Sequence, residues 1–87
     1  MRLTAAQLRA ARALMGVSAD EFAKLAGMGV ATVRRAEASD GMLNFRDATS
    51  DKIAAAFHHL GVEAFAAGEP GEGVRRCVTG QSKARES

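Results

Sequence analysis

The sequence predicts a mainly α-helical domain, four helices long, closed by a short C-terminal β-hairpin. Three observations predict it. Helix start and stop signals recur over residues 1–61. Apolar residues in that region fall at helical spacing. From residue 62 the apolar pattern changes to an alternation of two, around a turn rich in Gly and Pro.

The 87 residues suffice for one domain. A chain this short buries a modest fraction of its surface, so its core must be compact. Alanine dominates the apolar residues, and Trp and Tyr are absent. Such a composition favours short helices in close contact over a large sheet.

Thr4-Ala5-Ala6-Gln7 opens the first helix as a capping box, in which Thr accepts from the N3 amide and Gln reaches back to the cap. The helix is expected over residues 5–15, with Leu8, Ala11 and Met15 on one face and Gly16 at its end. Ser18-Ala19-Asp20-Glu21 repeats the device. A second helix then runs to about residue 26, with Phe22, Ala23 and Ala26 as its apolar face. Only Gly27-Met28-Gly29 separates it from a third helix, expected over residues 30–38. Two short helices joined so tightly must cross steeply, which is helix-turn-helix geometry.

Residues 39–44, Ser-Asp-Gly-Met-Leu-Asn, read as a loop. The fourth helix begins near Asp47–Thr49 and ends at Gly61, burying Ile53, Phe57 and Leu60, with Ala54 and Ala56 allowing close approach. Residues 62–65 and 74–78 are the expected hairpin strands, and residues 79–87 an expected disordered tail. The domain organisation is thus 1–61, 62–78 and 79–87.

The net charge is +2. Residues 1–46 carry seven Lys/Arg against four Asp/Glu, and residues 47–70 carry one against four. A basic N-terminal half points weakly to a polyanion. No apolar run approaches the roughly 20 residues of a membrane span. The first residues lack an apolar signal core, so a cytoplasmic location is expected. Cys77 is the single cysteine and is read as a reduced thiol. His58 and His59 are adjacent on a helix and point about 100° apart, so they do not chelate one ion. No zinc set, phosphate loop or hydrolase motif is present, so no metal, cofactor or enzymatic activity is expected.

The stretch Gly16 to Glu37 carries the functional reading. Gly16, Ser18, Ala23, Gly27, Thr32-Val33-Arg34-Arg35 and Glu37, in this order and spacing, resemble the lambda-repressor-like (Cro/repressor, XRE-type) helix-turn-helix family over about residues 3–61. The resemblance implies a DNA-binding transcriptional regulator, probable only as a class from these marks, that represses or autoregulates from a palindromic operator. It assigns Gly29, Val30, Ala31 and Arg35 to base edges. It assigns Ser18, Ala19, Arg34, Asn44 and Arg46 to phosphates. Arg12 and Glu37 match a pair that forms an ion pair between the first and third helices. Phage repressors often carry Gln, Ser or Thr early in the recognition helix. Val30 and Ala31 offer only methyl contacts, which suit thymine, and Arg35 is then the reader of guanine.

One short recognition helix touches about four or five base pairs, so two copies on half-sites about 34 Å apart are expected. The expected homodimer interface is Val62, Phe65, Val74 and Val78, through paired hairpins or an exchanged strand. The alternatives are an antitoxin whose tail wraps a toxin, and a protein-binding module that no longer reads DNA. Leu25 is polar in most of the family, and here it is a candidate edge of a partner surface.

Overall fold

A computed structural model describes residues 1–77. Val78, one of the expected dimer residues, and the expected tail over 79–87 lie outside the described residues. The described chain is mainly helical, with one two-stranded antiparallel hairpin at its end.

Helix α1 (Ala5–Met15) is started by its capping box. Thr4 Oγ1 accepts from the Gln7 N–H at 3.1 Å, and Gln7 Oε1 accepts from the Thr4 N–H at 3.1 Å. Gly16 ends it in the left-handed region, φ 68°, which glycine enters without a Cβ penalty. Helix α2 (Ala19–Ala26) repeats this construction with Ser18 and Glu21, and it stops at Gly27. Helix α3 (Val30–Ala38) follows after three residues and has no side-chain N-cap. Helix α4 (Asp47–Leu60) has Arg46 at its N-cap position, again without a side-chain cap, and ends at Gly61.

Each helix contributes its apolar face to one core. Leu8, Phe22, Val33, Ile53 and Phe57 are its large members, all nearly or fully removed from water. Phe22 and Phe57 meet edge to face, ring centroids 6.1 Å apart, an arrangement worth about 0.5–1.5 kcal/mol beyond area burial. Ala23, Ala26, Ala36 and Ala56 are buried where the helices meet. Their small volume is what lets four short helices share so small an interior.

Residues 39–46 are more ordered than a surface loop. Met42 bridges Thr4, the Leu43 N–H donates to the Leu3 carbonyl at 2.8 Å, and the Ala5 N–H donates to the Gly41 carbonyl at 3.0 Å. The segment is tied to the start of α1, which buries Leu3.

The hairpin consists of β1 (Val62–Phe65) and β2 (Gly73–Arg76), paired in the register Val62↔Arg76, Glu63↔Arg75, Ala64↔Val74 and Phe65↔Gly73. It folds back onto the helices of its own chain. Val62 is a core residue, and Ala64 and Val74 pack against the same core. The expectation that Val62, Phe65 and Val74 present one shared face to a second subunit is therefore corrected. Side chains alternate along a strand, and Val62 and Phe65 are three positions apart. They lie on opposite faces, and Val62, 2 % exposed, is covered by its own chain.

Phe65 lies on the outer face, over the position opposite Gly73. A Cβ at Gly73 would meet Phe65 Cζ at 2.9 Å, so the ring occupies the space that a side chain there would need. The Arg75 guanidinium stacks on the other part of this cluster, 4.9 Å from the ring centroid, and Arg75 Nε donates to Glu63 Oε1 at 2.8 Å.

Gln7 holds the hairpin to α1. Its side chain is buried, and its Nε2 donates to the Phe65 carbonyl at 2.8 Å and the Gly73 carbonyl at 3.0 Å. One side chain thus completes a helix cap with its oxygen and fixes both strands with its nitrogen. Arg76 closes the other end, donating to the Leu14 carbonyl at 3.0 Å near the C-terminus of α1.

Candidate nucleic-acid interface

Helix α3 has two unlike faces. Val33, Ala36 and Glu37 are buried, while Ala31, Arg34, Arg35 and Ala38 are exposed. Gly27 supplies the positive φ that ends α2, and its neighbour Met28 is half-buried against the core. The α2–α3 turn is thereby fixed, and α3 projects its arginine face away from the protein.

Arg35 is exposed and makes no hydrogen bond or ion pair among the described residues. Arg34 is 64 % exposed and lies 3.7 Å from Asp20 Oδ2, itself 63 % exposed. At that distance and exposure the pair is weak and screened by salt. Asp20 escaped sequence reasoning because its contact to Arg34 crosses the turn, and no local spacing marks it.

Gly29 and Ala31 are exposed at the N-terminal end of α3, but Val30 packs partly against the core. Of the two residues expected to offer methyl groups, Ala31 is the more open.

Ser18 is committed within its own cap. Its Oγ accepts from the Glu21 N–H at 3.0 Å, and its N–H donates to the Glu21 carboxylate at 2.8 Å. These two Ser18 donors hold the Glu21 carboxyl below its usual range. The amides of Ala19 and Asp20 are then the first-turn donors of α2 that point outward. At α4, Arg46 is exposed, and Asn44 lines a small pocket of about 190 Å³ with Met1, Leu3, Phe45, Asp47 and Ser50. Neither Arg46 nor Asn44 caps the helix, so the first amides of α4 are also without a side-chain partner.

Behind α3 stands the Arg12–Glu37 pair. Arg12 Nε donates to Glu37 Oε2 at 2.5 Å and Arg12 Nη2 to Glu37 Oε1 at 2.6 Å, a two-pronged contact between α1 and α3. Arg12 Nη1 also donates to the Val17 carbonyl at 3.0 Å. The hydrogen bonds to Glu37 raise the Arg12 pKa above its ordinary value, so the pair is permanently charged in ordinary buffers. Arg9 adds a hydrogen bond to the Glu37 carbonyl. Three groups of α1 and its cap therefore fix the end of α3 that lies away from the turn.

Among the described residues no helix is long and apolar enough to cross a membrane. No three His, Cys, Asp or Glu side chains among them come together to hold a metal ion. No family model, curated protein or solved structure matches the chain.

Proposed function

We propose that the protein is a sequence-specific, lambda-repressor-like DNA-binding regulator that reads a palindromic operator as a homodimer through α3. The observation that supports this best is the asymmetry of α3, which has a buried edge clamped by Arg12 and an open edge carrying Arg34 and Arg35. A guanidinium is the commonest side chain for reading guanine in a major groove, and small residues beside it let the helix approach the base edges.

In this reading Arg35 contacts a guanine. Arg34 exchanges Asp20 for a phosphate, a trade that costs little because the pair is exposed. Ala31 and Gly29 lie against base edges. The free amides at the start of α2 and α4, with Arg46, hold flanking phosphates.

Binding to DNA from around the gene, measured at rising salt, tests the reading. Each phosphate neutralised releases counterions, so affinity must fall steeply as salt rises. An affinity that stays flat with salt, or no binding at low salt, rules the reading out. The 43 % exposure of Leu25 on α2 favours one competitor, a protein-binding module using the same face. That module would show little salt dependence and no preference among DNA sequences.

A further inference from the structure

The outer edge of β2 carries unused backbone groups in a self-complementary order. The Cys77 N–H donates to the Gly61 carbonyl at 2.8 Å, one step beyond the Val62↔Arg76 pair. Hydrogen-bonded pairs alternate along an antiparallel ladder. Glu63↔Arg75 and Phe65↔Gly73 therefore bond each other, and Val74 and Arg76 direct their N–H and C=O groups to the side away from β1. Such an edge is a template for a further strand.

We propose that β2 pairs antiparallel with β2 of a second copy, with Val74 on the two-fold axis, to form a continuous four-stranded sheet. Only alternate residues direct backbone groups outward, so the partner strand must set Glu72, Val74 or Arg76 against one of the same set. Two registers do this near the centre of β2. With Arg75 on the axis, two like charges stand opposite each other, which is destabilising. With Val74 on the axis, Glu72 falls opposite the partner's Arg76 and Gly73 opposite the partner's Arg75. Charge selects the second register.

The surroundings of the edge fit it. β2 runs along α1, since Glu72 accepts from Thr4 Oγ1 near the start of α1 and Arg76 donates to Leu14 near its end. Ala6 and Arg9 line a shallow cleft with Gly71 and Glu72, and Ala10 and Ala13 are exposed farther along the helix. Ala6, Ala10 and Ala13 fall on one helical face. Two sheets joined at β2 bring two α1 helices side by side, and alanine on the facing surfaces permits the 8–10 Å spacing of packed helices.

This pairing supplies the contact for the dimer of the proposed function and rests on that reading's requirement for two copies. Its test uses the full chain without DNA. Sedimentation or light scattering is expected to give twice the chain mass at micromolar concentration. The Val74→Pro variant removes one outward N–H and no N–H of the hairpin itself, so it is expected to run as a monomer with an unchanged helical signal. A wild-type monomer, or a Val74→Pro protein that still dimerises, overturns the proposal. Should Val74→Pro fail to fold, a Val74→Cys, Cys77→Ser protein decides. Mild oxidation with diamide is expected to link two copies through position 74, where paired strands lie within disulfide reach, and the absence of a linked dimer overturns the register. A monomer that still selects operator DNA defeats the edge pairing alone, and a dimer indifferent to DNA defeats the DNA reading alone.

Discussion

Arg12 on α1 grips Glu37 on α3 with two charge-assisted hydrogen bonds, at 2.5 and 2.6 Å. Glu37 is buried at 8 % exposure, while the Arg12 side chain keeps 23 % of its surface in water. Replacing Arg12 with Ala strands a carboxylate in the protein. Removing one partner of a buried pair costs about 3–5 kcal/mol, and the partial exposure of Arg12 places this case at the lower end. In a domain of this size each kcal/mol is worth roughly 4–8 °C of Tm. Thermal unfolding of Arg12→Ala is expected to show a drop well above measurement error, and an unchanged Tm would contradict the clamp.

Gln7 is the counterpart of this clamp at the hairpin. Gln7→Met keeps the length of the side chain but leaves the Phe65 and Gly73 carbonyls without their donor. Unsatisfied buried polar groups cost about 1–3 kcal/mol. Hydrogen exchange should show faster opening of the β1 and β2 amides than of the helices. Equal acceleration everywhere would mean that Gln7 serves only as a helix cap.

Phe65 and Gly73 make a coupled pair. Gly73→Ala forces the ring away from a 2.9 Å approach and with it the stacked Arg75, so the single variant is expected to lose stability. In a Phe65→Ala background the same change meets no ring. A double-mutant cycle is expected to give a coupling of about 0.5–3 kcal/mol. Strict additivity would show that the ring does not occupy the space over Gly73 in solution.

The second capping box predicts a response to acid. Ser18 holds the Glu21 carboxyl below its ordinary range. A carboxyl lowered in the folded state adds stability that is fully present above the unfolded pKa, about 4.3 for Glu. That contribution is lost as pH falls through the folded-state pKa. In Glu21→Gln the amide oxygen can still accept from the Ser18 N–H, but it does not titrate. Its stability should change less between neutral pH and mild acid than that of the wild type, in matched denaturant titrations. Parallel curves would remove Glu21 from the acid response.

Arg34 and Arg35 are adjacent and exposed, yet the proposed reading gives them different tasks. Arg35→Ala should cost about 1–3 kcal/mol on the preferred site and relax discrimination at one base pair. Arg34→Ala should weaken all sequences alike and lower the salt slope by about 1. Competition binding against single-base variants of the site separates the two, and identical profiles would make both arginines phosphate contacts.

The parts of the fold legible in the sequence are those set by local chemistry. Thr4 with Gln7 and Ser18 with Glu21 mark helix starts within four residues, and Gly16, Gly27 and Gly61 mark the ends by a backbone angle that favours glycine. What was not legible depends on contacts between distant segments. The strand pairing that sends Phe65 outward and Val62 inward follows from the hairpin's register. The second role of Gln7 appears only when residues 65 and 73 arrive beside α1. At the candidate site, the arginine face follows from helical spacing. The Asp20 contact to Arg34 and the partial burial of Val30 depend on how α2 and α3 pack, which no short window of sequence records.

Selection of bound sequences from random duplex DNA tests the central claim most directly. The account predicts enrichment of one two-fold symmetric motif, with guanine in each half-site and half-sites about 34 Å or a multiple apart. Recovery of a pool no different from the input, at a salt concentration low enough to hold non-specific complexes, would contradict it.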